Sequence, residues 1–181
     1  MQKFELCYRL PDANPDCWLI PQLLTPSRPP TLNDWERIDD VVLRYRYEFL
    51  PKGILSRLMV RQHRFVTQPR QCWSAGALFE KADSQVLAVL SSKTREIILR
   101  ARGSERRELL SVIAFDLDAI NENFHGVAER LKKDVPCCCA KCRKSNRPEY
   151  FDLSRLLQRR RDGRIAVECP ASYLDVSVTE L

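Results

Sequence analysis

Glycine is scarce in this chain, with five among 181 residues. None falls in a G-x-x-x-x-G-K-[ST] pattern, so the sequence offers no phosphate-binding loop. The signatures of a protein kinase are missing as well. Histidine is scarcer still, with only His63 and His125. His63 sits among arginines. His125 ends an apolar-periodic segment, where a partial positive charge is favourable. No Ser-His-Asp or Cys-His grouping can be assembled around either. No apolar run reaches the ~18 residues that a membrane-spanning helix needs. The opening residues MQKFELCYRLPD hold no long apolar segment of the signal-peptide kind. These absences argue against a nucleotide hydrolase, a kinase and a membrane protein. The expectation is a cytoplasmic chain that is not itself an enzyme.

What is present suits a globular chain. Hydrophobic residues make up 44% and charged residues 30%, enough for one sizeable core. Net charge is +6, from 30 basic and 24 acidic residues. The signs are mixed along the chain, so the excess permits an acidic partner without demanding one. Eight cysteines occur, four of them within residues 137–142. Such crowding favours a reducing compartment and a metal over a disulfide framework. Cys7 and Cys17 have no ligand spacing and read as core residues.

The stretch from Val41 to Glu80 organises the rest. Val41, Leu43, Tyr45, Tyr47 and Phe49 alternate with polar or less bulky positions, which predicts a half-buried strand. Pro51 and Gly53 break that pattern. From Ile54 the spacing becomes helical, with Leu55, Leu58, Met59, Phe65 and Val66 on one face and Arg57, Arg61 and Arg64 opposite. Pro69 is expected to end this helix. A second period-two run then points Trp73, Ala75, Ala77 and Phe79 one way.

Around this centre lie simpler elements. Phe4, Leu6, Tyr8 and Leu10 share a face, and with Cys17–Leu24 they predict a hairpin too small to stand alone. Pro26–Pro30 reads as a stiff linker, and Trp35 beyond it as a packing residue. Val86, Ala88 and Leu90, then Ile97, Leu99 and Ala101, continue an antiparallel meander from Gln71–Phe79. Ser104 is a plausible N-cap for a helix with the stripe Leu110, Ile113, Leu117, Ile120 and Phe124, closed by Gly126. Asp116 and Asp118 fall on its polar face. The expected fold class is α+β, an antiparallel sheet covered by two helices, with a zinc-ribbon-like C-terminal extension. The expected boundaries are a hairpin and linker over 1–30, the sandwich over 31–126 and the cysteine-rich extension over 127–181.

Zinc favours four soft ligands in a tetrahedron, and a C-x-x-C loop can wrap it. Cys139 and Cys142 have that spacing. Cys137 can add a third thiolate, and Cys169, 27 positions beyond Cys142, can close the site from the end of a strand over 164–168. Three adjacent cysteines cannot all bind one ion easily, so one is spare. A closed site of four thiolates would be a structural Zn²⁺ staple and not a catalyst. Arg155–Arg161, RLLQRRR, reads as a solvated helix face, with few aromatics nearby to stack on bases.

YEFLPKGILSRLMVRQH followed by CWSAGALFE resembles the C-terminal half of the COR domain, the module C-terminal of the Roc GTPase in Roco proteins. The likeness is to bacterial members with leucine-rich repeats. KFELCY and WLIPQLL resemble the tail of the preceding COR half, so the chain reads as a piece of a longer protein. The pattern Pro-Cys-x-Cys-x-x-Cys, then Cys-x-x-Ser, maps onto Pro136, Cys137, Cys139 and Cys142, then Cys169 and Ser172, which leaves Cys138 as the spare. The resemblance implies a non-catalytic module that dimerises and couples to a Roc domain in the same chain, with GTP bound only there. On this reading Leu87 and Val89, with Ile98, form the partner-binding face of the sheet. The alternative is a zinc-ribbon nucleic-acid binder. A thiol redox protein is a weaker third, since no thioredoxin-like βαβ pattern surrounds the cysteines.

Overall fold

The computed structural model describes residues 7–9, 18–145 and 147–178. A short antiparallel pair, β1 (Tyr8–Arg9) and β2 (Trp18–Leu19), begins it, with Tyr8 opposite Leu19. Phe4, Leu6, Leu10 and Cys17 of the expected hairpin lie outside the described residues. Cys7 is buried, as a core residue should be.

The main sheet has seven strands: β3 (Val41–Arg46), β4 (Cys72–Trp73), β5 (Gly76–Lys81), β6 (Ser84–Ser91), β7 (Glu96–Arg102), β8 (Lys132–Pro136) and β9 (Tyr150–Asp152). Their order is β4-β5-β6-β7-β3-β8-β9, and every paired neighbour is antiparallel. β3 therefore closes the meander on one side and receives β8 on the other. β8 and β9 join the same sheet, although the sequence reading had assigned residues after 127 to a separate extension; the strands over 166–168 and 175–177 pair only with each other. β8 reads KKDVP, too short and too polar to show a period of two.

Two helices, α1 (Ile54–Arg61) and α2 (Arg106–Glu122), cover one face. Leu43, Tyr45, Ala77, Phe79, Val86, Ala88, Ile97, Leu99 and Ala101 meet Leu55, Leu58, Met59, Leu110, Ile113, Leu117 and Ile120 in the main core. Each large side chain buried there contributes roughly 1.5–3 kcal/mol. Phe49 departs from expectation: it lies beyond β3 and is 72% exposed. α1 also stops at Arg61, well before Pro69, with Phe65 in a 3-10 turn. Ser104 does not cap α2. Its hydroxyl donates to Asp83 at 2.7 Å, while Glu105 occupies the cap position, and the helix ends at Glu122 ahead of Gly126.

The second face of the sheet is only partly open. A strap over residues 30–35 lays Leu32 and Trp35 on Trp73, Leu78 and Leu87. Arg102 stacks over the Trp35 ring at 3.9 Å and donates to the Trp35 carbonyl at 3.0 Å. Leu87 is consequently fully buried. The expectation that it stands open for a partner is corrected by this cover. Val89 and its cross-strand neighbour Ile98 keep partial exposure. Trp73 reaches this face because Ser74 and Ala75 turn the chain tightly between β4 and β5, with Trp73 paired to Gly76. It does not share a face with Ala77 and Phe79, as a continuous strand would require. Gly76 is needed there: a Cβ would come within 2.0 Å of the Trp73 ring.

Candidate metal centre

Two hairpins build the site. β8 and β9 run side by side, and the chain between them folds into a knuckle tied to β9 by the Cys137 N–H bonding the Glu149 carbonyl at 2.8 Å. Within the knuckle α3 (Ala140–Arg143) is a single turn. The Cys139 sulfur caps it, accepting from the Cys142 N–H at 3.4 Å. The Cys137 sulfur accepts from the Cys139 N–H at 3.4 Å. Backbone amides thus aim at two sulfurs and favour the ionised form of each, a pull that burial outweighs at Cys137 but not at Cys139.

The fourth sulfur arrives from far along the chain. α4 (Leu153–Arg161) starts from an Asp152 cap and buries Leu156 against the core. It leads to the hairpin of β10 (Ala166–Glu168) and β11 (Asp175–Ser177). The tight loop between them, with Tyr173 at φ 56°, presents Cys169. Lys141 donates to the Ala171 carbonyl, tying this loop to the knuckle.

The sulfurs of Cys137, Cys139, Cys142 and Cys169 all lie within 4.8 Å of one another. Cys169 stands 3.7 Å from both Cys139 and Cys142. This spacing is that of ligands around one ion, and the four can hold a metal. Cys138 packs beside the cluster but is not among the four. Burial raises the Cys137 and Cys142 thiols. The Ser172 hydroxyl, 3.5 Å from Cys139, and the Cys142 N–H lower Cys139 to about 6, and Ser172 lowers Cys169 too. Thiols packed this closely cannot all ionise without a cation between them. The donor set is three from one knuckle and one from a second hairpin, where Ser172 stands at the position a fourth knuckle cysteine would take.

Beside the knuckle, the sequence reading missed an ionic cluster. Asp134 on β8 is 2% exposed and accepts from Arg44 at 3.1 Å and from Arg46. Arg44 also approaches Glu96 at 3.5 Å and lies over the Tyr150 ring at 3.4 Å. The signal was the alternation of Arg44 and Arg46 on the polar face of β3, which carries no hint of a partner 90 residues away. Among the described residues, neither histidine joins a reactive group. His63 lies against Tyr8 and the Val60 carbonyl.

The COR-B family model, described as the C-terminal of Roc, COR-B domain, matches residues 39–181. The chain belongs to the COR-B family. COR-B is a non-catalytic part of Roco proteins, and the match takes in the whole seven-stranded sheet and both cysteine hairpins. Three Dictyostelium discoideum proteins are similar. Probable serine/threonine-protein kinase roco5 is 31% identical over 136 residues, covering 68% of this chain and 5% of that protein. Probable serine/threonine-protein kinase pats1 is 30% identical over 123 residues, 61% of this chain and 4% of that protein. Probable serine/threonine-protein kinase roco7 is 30% identical over 192 residues, 94% of this chain and 7% of that protein. The chain thus spans only a small fraction of the relatives it matches. No helix among the described residues is long and apolar enough to cross a membrane.

Proposed function

We propose that this COR-B chain is a zinc-stapled interaction module of a larger Roco protein, which pairs with a second copy and conditions a Roc GTPase domain in the same polypeptide. The family membership carries this reading. The convergence of four thiols supports the staple, since a closed tetrathiolate site favours zinc and leaves no position for substrate. Metal analysis of protein purified without chelator tests the ion: one zinc per chain is expected, and none would end the proposal. A bacterial, leucine-rich-repeat parent acting in the cytoplasm belongs to the same proposal and rests on the cysteine pattern. Nucleic acid is the alternative partner, and no described contact favours it.

The contact face is assigned to what the strap leaves open, Val89 and Ile98, with Leu87 kept as a core residue beneath it. Partly exposed apolar groups side by side on a sheet suit a symmetric contact. The test uses the parent protein. Val89→Glu with Ile98→Glu should shift it towards monomer in light scattering and change its GTP turnover, with the melting temperature nearly unchanged. Leu87→Glu should instead unfold the domain. Dimers with normal turnover in the Val89/Ile98 variant would overturn the assignment.

A further inference from the structure

We propose that the cleft between residues 37–42, the start of α2 and the cysteine knuckle binds a phosphorylated polyol. Its volume is about 710 Å³, within the range that encloses a small ligand. Five arginines line it against two carboxylates, Asp39 and Asp40. The side chains of Arg106 and Arg143 have no ion pair or hydrogen bond among the described residues, and the charge of Arg100 is offset only in part, by the nearby carboxylates of Glu36 and Asp40. Guanidinium groups held together on a concave wall repel one another, and phosphate oxygens match their planar donors in pairs.

Asp40 adds the second half of the recognition. One of its oxygens accepts from the Arg37 N–H at 2.8 Å. The other, Oδ1, is shielded from solvent and has no donor among the described residues. A buried acceptor left in this state is costly, and a side-chain rotation of Asp40 on binding would turn it to a hydroxyl of the bound molecule. Phosphates for the arginines and a hydroxyl for Asp40 describe a sugar or inositol phosphate, either free or as the headgroup of a lipid. Cys137 and Cys142 form part of the wall, so binding is measured on the metal-loaded chain with variants that leave every thiol intact. Arg100 shares the sheet face of Ile98, two residues along β7, whereas Arg106 at the start of α2 and Arg143 in the knuckle do not, so weakened binding by Arg106→Ala with an unchanged oligomeric state separates this proposal from the dimerisation reading.

Calorimetry with inositol 1,4,5-trisphosphate tests it, with inorganic phosphate as the control. The trisphosphate should bind with a Kd below about 100 μM. The double variant Arg100→Ala/Arg106→Ala should weaken it at least about tenfold, the loss of roughly one charge-assisted contact. Asp40→Asn should weaken the trisphosphate while leaving inorganic phosphate the same or tighter. Circular dichroism confirms that each variant is folded. Sedimentation with phosphatidylcholine vesicles containing phosphatidylinositol 4,5-bisphosphate, but not with plain ones, assigns the ligand to a lipid. Binding of the free trisphosphate without sedimentation assigns it to a soluble metabolite. No binding by either route, or binding that ignores the arginine variant, overturns the site. Equal effects of Asp40→Asn on both anions overturn the polyol.

Discussion

Asp134 is the residue on which the edge of the sheet turns. Its carboxylate is buried between Arg44 and Arg46, and Arg44 is itself clamped by Glu96 and Tyr150. Removing the acid leaves two guanidinium groups side by side with only Glu96, at 3.5 Å from Arg44, as a close counter-charge. Asp134→Ala is therefore expected to cost about 3 kcal/mol or more in chemical denaturation, far beyond an exposed ion pair such as Lys81–Glu105. A loss below about 1 kcal/mol would show that the pair is well solvated. Asp152 acts more gently. It accepts from the Ser154 hydroxyl and from the Arg155 N–H at 3.1 Å, and these bonds hold its carboxyl below the usual value of 3.8. A depressed carboxyl stabilises the fold above its unfolded pKa and stops doing so as pH falls through the folded value. Asp152→Ala should cost about 1 kcal/mol at pH 7, and that difference from the parent chain should shrink as pH falls below 3.8 and through the lowered folded value.

Among the elements, the local ones were legible in the sequence and the ones made by distant contacts were not. The meander β5-β6-β7 and the stripes of α1 and α2 follow from periodicity, because each buries one continuous face. The turn at Ser74 and Ala75 hid inside an apparently alternating run, since Trp73 and Ala75 are apolar whichever face they join. β8 and β9 are strands only because β3 offers an open edge to them. The strap was legible as proline-rich chain, but its work of covering Leu87 depends on where Trp35 lands. Four thiols were picked out by spacing and family pattern, whereas Asp134 and the arginine cleft carry no such spacing. Gly76→Ala checks the turn directly. The new methyl group must displace the Trp73 ring, so tryptophan fluorescence should shift towards that of exposed indole and stability should fall by about 1–3 kcal/mol. An unchanged spectrum would mean that β4 can swing away without loss.

At the scale of the whole molecule, a metal held by the four thiols would fasten the last quarter of the chain, tying the β10–β11 hairpin to the knuckle after β8. Its binding energy is in part folding energy, so a chelator should lower the melting temperature and loosen residues 137–178 first in hydrogen exchange. Cys169→Ser should do the same, and Cys138→Ser should not. A chelator without effect on melting would show that packing alone holds the hairpins together. The order of the sheet has a further consequence during synthesis. β3 is made early, yet its two neighbours are β7, some fifty residues later, and β8, some thirty residues beyond that. While the ribosome is still translating, β3 waits with both edges bare, and Cys137, Cys139 and Cys142 emerge before Cys169 exists to complete their set. Non-local pairing of this kind is slow and exposes strand edges to the wrong partners. The nascent chain is thus most vulnerable between the appearance of residue 46 and that of residue 169, and its yield in cells should depend on chaperone supply and free zinc at that interval more than on the stability of the finished fold.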